Sequence, residues 1–390
     1  METTGSSNNE TMLATLFDQG AIALIRGHLF DKPPDPVIGR TDFDRVEGML
    51  LGIAIGDSLG NTTEGMTPEA REDEYGTITD YLPGRYGSGV PSDDTQLAFW
   101  SLEQMLHDRR IDPELIAERF TKDKIFGIGQ AVSEFLLNRS RGIAWQHCGA
   151  RSAGNGALMR IAPVVLPHLR SATPDLWVDT ALLSMVTHND SASISSSLAF
   201  VNILWNLLGM EDAPPPEWWA KTYIDTTRDL EIYEEYQPRG GSFLGFQGPL
   251  WQFVQDYVPS AFGQGLSVRD ACNSWYSGAY LFETVPSVLY ILMTYGDDPE
   301  QAIIAAVNET KDNDTIAAIV GAAVGALHGK SAFPERWLTG LLGRTKANDD
   351  GYVFKLIDDA RRIFWDTPSL PLKGTDTSSG ERDRGDAAMG

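Results

Sequence analysis

The chain reads as all-α. Apolar residues recur at helical spacing through most of the sequence from Phe43 onward. Strand signals are sparse, and only residues 77–81 read as a short strand. No internal repeat is visible. Residues 1–9 read as disordered, 10–30 as one or two helices, and DKPPDPVIGRTD (31–42) as a Pro-rich linker. Between residues 44 and 60, Val46, Met49, Leu50, Ile53 and Ala54 form one stripe. Leu97, Ala98, Leu102, Met105 and Leu106 continue the pattern. Gly-rich loops at 60–66 and 84–92 intervene.

Further helices are expected within 112–137, twice within 174–208, and at 249–272, 284–295, 298–309 and 315–328. Gly321 and Gly325 in the last of these would let another helix approach closely. Residues 210–250 hold PPP, two adjacent Trp and RGGSFLGFQG, and read as an insertion or long surface loop. The expected organisation is an extension (1–42), one helical domain (43–370) and a disordered polar tail (371–390).

Composition narrows the function classes. A chain of 390 residues with 42% hydrophobic residues and 10 Trp has enough material for a large core. Its 54 acidic residues against 31 basic ones give a net charge of −23, which argues against nonspecific binding to nucleic acid or anionic membrane. The two cysteines, Cys148 and Cys272, make no disulfide framework and no Cys/His metal spacing, as expected of a reducing cytoplasm. The N-terminus lacks the basic and apolar segments of a signal peptide. The nearest approach to a membrane span is 315–327, which is too short and follows two aspartates.

Five short motifs can carry chemistry. Ser92-Asp93-Asp94-Thr95 and Asp312-Asn313-Asp314-Thr315 each precede an apolar helical run. Each can be an ordinary N-cap. Together, their dense hard oxygen donors suit a pair of Mg2+ or Mn2+ ions. Glycines in Gly52-Ile53-Ala54-Ile55-Gly56-Asp57-Ser58-Leu59-Gly60 hint at close packing, and Glu64 follows in a loop. Gly154-Asn155-Gly156-Ala157-Leu158-Met159-Arg160 reads either as a helix-entry turn or as a phosphate cradle. His188, in Thr187-His188-Asn189-Asp190, closes an apolar helix and reads as a cap or as a ligand contact.

Taken together the motifs resemble the ADP-ribosylglycohydrolase family. The matching stretches are GMLLGIAIGDSLGNTTE (48–64), SDDTQLA (92–98), GNGALMRIAPV (154–164), THND (187–190), AYLFETVPSVLY (279–290) and DNDTIAAIVGAAVGALHG (312–329). They occur in the family's order. The resemblance implies an all-α fold around a dinuclear Mg2+ or Mn2+ site and hydrolysis of ADP-ribosyl bonds on modified proteins, with arginine linkage favoured. It implies Ser92, Asp93, Asp94, Asp312, Asp314 and Thr315 as metal ligands, and Glu64, Asp93 and Asp94 nearest the reaction. Gly154, Asn155, Gly156, Met159, His188 and Tyr280 match positions around bound ADP-ribose. Ser92 stands where the family often has Thr, and both supply a hydroxyl. Some members of the family are immunity proteins. A second expectation is therefore that residues 1–42 bind and block an ADP-ribosyltransferase toxin, with or without hydrolysis.

Overall fold

The computed structural model describes residues 8–84, 87–232 and 236–366. The expected tail at 371–390 lies outside the described residues. The helices are α1 (Asn8–Asp18), α2 (Phe43–Gly60), α3 (Pro68–Tyr75), α4 (Asp93–Asp108), α5 (Pro113–Lys122), α6 (Gln130–Ser140), α7 (Asp175–Met185) and α8 (Ser191–Leu208). They continue with α9 (Pro216–Thr227), α10 (Leu250–Gly263), α11 (Val268–Ser274), α12 (Leu281–Tyr295), α13 (Pro299–Glu309), α14 (Asn313–His328), α15 (Glu335–Gly340) and α16 (Tyr352–Ala360). Among the described residues only isolated β-bridges occur and no sheet forms. The all-α expectation holds.

Two antiparallel helices, α2 and α14, form the centre. Gly48, Gly52, Gly56 and Gly60 are spaced four apart and so share one face of α2. That face lies directly on the α14 backbone. A Cβ added at Gly52 would sit 2.0 Å from the Gly321 carbonyl oxygen, and one at Gly56 would sit 2.1 Å from that of Ala317. At Gly60 it would meet the Asp314 Cα at 2.5 Å. In return, a Cβ at Gly321 would lie 2.1 Å from the Gly52 carbonyl oxygen. The obstructing atoms are backbone, so they cannot turn aside. Helices α4, α8, α12 and α13 pack around this pair, and α14 is buried from Asn313 to Leu327.

Several expectations change. Residues 77–81 form no strand, because the Asn308 side-chain amide bonds both the N–H and the carbonyl of Ile78, each at 2.8 Å. That amide takes the place of a partner strand. Residues 68–75, between the two Gly-rich loops, form α3, which starts on a Thr67 cap with Pro at its first turn. The 210–250 region is more than a surface loop. Pro216 opens α9, and Trp219, Tyr223 and Leu230 are buried. The proline run that reads as a breaker sits where proline starts a helix.

Helix α8 is 18 residues long and apolar enough by composition to cross a bilayer, yet 89% of it is buried inside the protein. Its serines interrupt the apolar run, so α14 stood out instead in the sequence. Ser195 and Ser197 bond carbonyls within α8, and Ser196 bonds the Tyr223 hydroxyl.

The described part of the extension is folded onto the body. Leu13, Leu16, Ile22, Leu24, Phe30 and Val37 are buried. The indoles of Trp177 and Trp205 donate to the carbonyls of Lys32 (3.0 Å) and Asp35 (2.6 Å). The Asn189 amide grips the Ala21 carbonyl (2.8 Å) and the Ala23 N–H (2.9 Å).

Gly→Ala inside an exposed helix stabilises by about 1 kcal/mol. At Gly52 the sign inverts, since the new methyl meets backbone. Gly52→Ala should cost at least about 2 kcal/mol in denaturant melts. Gly129→Ala, where an added Cβ meets nothing within 4 Å, should change stability little.

Candidate functional site

The antiparallel helix pair brings the end of α2 against the start of α14, and α4 begins beside them. Asp57, Asp94 and Asp314 each place a carboxylate oxygen within 4.8 Å of the others, and so do Glu64, Asp312 and Asp314. The two acidic sequence clusters therefore meet.

Asp57 was not picked out in the sequence. It lies in the last turns of α2 and is fully buried. Its two oxygens accept the Ser92 N–H (2.8 and 2.9 Å), the Thr95 N–H (3.0 Å) and the Thr95 hydroxyl (2.5 Å). Asp57 thus caps α4 from a neighbouring helix and fixes where α4 starts. A lone Asp inside an apolar, glycine-rich helix was the available signal, since a buried carboxylate needs donors. Arg71 was missed in the same way. Buried on α3, it bonds the Thr63 hydroxyl (3.0 Å) and the carbonyls of Met66 (3.2 Å), Asn308 (3.3 Å) and Thr310 (2.9 Å). It ties the Glu64 loop to the segment leading into Asp312.

The expected ligands differ in setting. Ser92 is the α4 N-cap, and its hydroxyl donates to Asp94 Oδ2 at 2.8 Å. Asp94 Oδ1 is buried with no hydrogen-bond partner among the described residues. Asp93 is half-buried and faces Gly127, where an added Cβ would come within 2.6 Å of its Oδ1. It belongs to neither carboxylate triad. Asp312 accepts from the Asn155 amide at 2.6 Å, and that amide also donates to the Thr284 hydroxyl at 3.0 Å. Asp314 Oδ1 accepts the Thr315 N–H at 2.8 Å.

Burial pushes the carboxyl groups upward. Asp57 rises to about 6, its donors from Thr95 and Ser92 holding it back. Asp93 rises to about 6 by burial and repulsion from Glu64. Asp312 rises to about 7 by burial, opposed by the Asn155 bond and reinforced by Glu64 and Asp93. Asp94 and Asp314 stand well above the usual carboxylate range through burial, Asp94 also through the charges of Asp57, Asp93 and Asp312, and Asp314 also through those of Asp94, Asp312, Glu64 and Asp57. An unpartnered buried oxygen within mutually repelling carboxylates fits a cation. The donors are all hard oxygens, which suits Mg2+ or Mn2+.

The cluster forms the floor of a cavity of about 810 Å3. Glu64, Ser92, Asp93, Asp94, Asp312, Asp314 and Thr315 line it, as do Gly154, Asn155, Gly156, Met159 and His188. Ser193 Oγ donates to the carbonyls of Ser152 (2.9 Å) and Gly154 (3.0 Å), fixing the glycine loop. The His188 ring lies where a Cβ on Gly156 would touch it at 2.9 Å. Burial, with Arg160 nearby, lowers His188 to about 3, so the ring is neutral. Tyr280 is buried next to the glycine loop. Its backbone bridges Gly154, its ring stacks on Phe282 at 5.4 Å, and Arg239 lies over it at 4.1 Å. Arg239 itself lines the cavity, with Lys124, Arg344 and Lys346 on other walls.

The ADP-ribosylglycohydrolase family model matches residues 39–365. The chain belongs to the ADP-ribosylglycohydrolase family. It is therefore an enzyme, a hydrolase of ADP-ribosyl bonds. An uncharacterized protein of Archaeoglobus fulgidus is 30% identical over 77% of this chain and 92% of its own length. An ADP-ribosylarginine hydrolase Tri1 of Pseudomonas putida is 27% identical over 76% of this chain and 73% of its own. The ADP-ribosyl-[dinitrogen reductase] glycohydrolase of Rhodospirillum rubrum is 27% identical over 78% and 92%. A solved structure titled ADP-ribosylglycohydrolase-related protein complex shares the fold, with a TM-score of 0.62 and 24% identity over 83% of this chain and 97% of that one.

Carboxyls raised on folding stabilise the metal-free protein fully only below their unfolded pKa near 4. That contribution is lost as pH rises through about 6 for Asp57 and Asp93 and about 7 for Asp312. In chelator, the melting temperature should fall between pH 5 and pH 8, apart from any global trend. Mn2+ should raise it more at pH 8 than at pH 5. An equal Mn2+ effect at both pH values would contradict the carboxylate account.

Proposed function

We propose that the chain hydrolyses the bond between ADP-ribose and arginine side chains of modified proteins, using two Mg2+ or Mn2+ ions. The observation that carries this reading is the meeting of the two carboxylate triads, whose members other than Asp57 line one large cavity. Ser92, Asp93, Asp94, Asp312, Asp314 and Thr315 would hold the ions. When bound, such ions supply Lewis acidity toward ribose hydroxyls and water. The arginine assignment draws on the relatives named ADP-ribosylarginine hydrolase.

The chain's own residues supply the rest. The Gly154–Met159 loop and neutral His188 form a wall for the nucleotide, and Arg239 adds positive charge toward its diphosphate. Glu64, the most exposed of these carboxylates, and Asp93 would orient water and take its proton. In the reaction the C1″–N bond breaks, its electron pair goes to the guanidino nitrogen, and the proton taken from water passes to that nitrogen. Water oxygen bonds C1″, and carboxylates stabilise the oxocarbenium character between. One water is consumed, and free ADP-ribose and arginine result.

The described part of the extension is committed to Trp177, Trp205 and Asn189. That commitment favours catalysis over capture of a toxin by a free arm.

The test is a panel of arginine-, serine- and nucleotide-linked ADP-ribose with defined metals. Free ADP-ribose should appear from the arginine-linked substrate with Mg2+ or Mn2+, and chelation should stop it. Asp93→Ala combined with Asp94→Ala should lower kcat by at least about 100-fold. Release from the serine-linked substrate alone would overturn the arginine assignment.

A further inference from the structure

Two neighbouring residues before α12 are held in the left-handed region without being glycine: Tyr276 at φ 80° and Ser277 at φ 49°. Non-glycine residues in this region are strained, and adjacent ones persist only when their surroundings enforce them. Here the surroundings are specific. Ser277 is fully buried, and its carbonyl accepts the N–H groups of Lys311 (3.2 Å) and Asp312 (3.0 Å). Its hydroxyl also accepts from Lys311 N–H at 3.2 Å. The Lys311 ammonium sits 3.6 Å from the Tyr276 ring centroid.

The same segment reaches Asp312 by a second route. Thr284 Oγ1 donates to the Gly278 carbonyl (2.8 Å) and accepts from the Asn155 amide (3.0 Å), which donates to Asp312 Oδ2 (2.6 Å). The Ala279 carbonyl accepts the Asn155 N–H at 3.1 Å, and Leu281 N–H donates to the Ala153 carbonyl at 2.9 Å. Residues 276–284 therefore bond the Asp312 backbone directly and reach its side chain through Asn155, while clasping the glycine loop of the cavity wall.

We propose that Ser277 and Thr284 are positioning residues that set Asp312, and thus the α14 half of the cation site, in register with the Gly154–Met159 wall. The strained turn aims the Ser277 carbonyl at the two N–H groups, and Thr284 aims Asn155. Asp312 is the N-cap residue of α14, yet its side chain makes no capping bond there. The brace holds it instead. The proposal rests on the metal reading above, and the experiment separates the two.

Mn2+ binding is measured by calorimetry on the unmodified protein and on Ser277→Gly, Ser277→Val and Thr284→Val, with folding checked by circular dichroism. Binding by the parent protein tests the metal reading alone. Glycine adopts positive φ freely and keeps the carbonyl, so Ser277→Gly should bind Mn2+ within about threefold of the parent. Valine resists this φ, so Ser277→Val should weaken Mn2+ binding about tenfold or more, a range seen for groups that orient metal ligands. Its kcat should fall more than its KM rises. Thr284→Val, close in volume, should weaken Mn2+ binding several-fold, and it decides the matter if Ser277→Val does not fold. Parent-like Mn2+ affinity in a folded Ser277→Val, or in Thr284→Val where the former is unfolded, would overturn the proposal. Loss in Ser277→Gly equal to that in Ser277→Val would overturn the role given to the strained turn.

Discussion

The site depends on one contact, the backbone-to-backbone approach of α2 and α14. Four glycines on α2 remove every side chain that would hold the helices apart. Ordinary helix pairs sit 8–10 Å apart, set by the side chains between them. Here the Gly52 carbonyl lies where a Gly321 Cβ would go. Since the helices run antiparallel, the end of one meets the start of the other, and Asp57 and Asp314 meet there. The glycines cost helix propensity. Dispersion over a closely fitted surface offsets that cost, and the same fit leaves no freedom in where the carboxylates stand.

Asp57 converts this contact into a three-helix junction. It satisfies the backbone N–H groups of Ser92 and Thr95, which lie among the orphan donors at the start of α4. The α4 start is thereby indexed to α2, and α2 to α14. The acidic residues at both helix starts benefit from the helix dipoles, yet burial and mutual repulsion raise their proton affinity. A group of carboxylates held together against its own repulsion is a stored demand for positive charge. Asp94 Oδ1 is buried and has no hydrogen-bond partner among the described residues.

Much of this was legible in the sequence because the functional residues sit at helix starts in short local motifs. Ser92 to Thr95 and Asp312 to Thr315 combine capping chemistry with more carboxylate than a cap requires. The glycines of α2 and α14 both announced close packing, although the pairing of the two faces had to be seen. Asp57 and Arg71 were not legible, because their roles are set by donors and acceptors far away in sequence. The Arg71 bond to Thr310, for example, spans 239 positions. Residues 77–81 look like a strand because Thr77, Ile78 and Thr79 are β-branched, but the Asn308 amide takes up the backbone of Ile78. The proline run before α9 looked like an interruption because proline both breaks helices and opens them.

The central claim is that the joined starts of α4 and α14 hold two divalent cations. Anomalous diffraction from crystals grown with Mn2+ tests it most directly. The account predicts two peaks at the cavity floor, between Asp94 and Asp314 and beside Asp312. An empty floor, or Mn2+ found only at surface carboxylates, would contradict it.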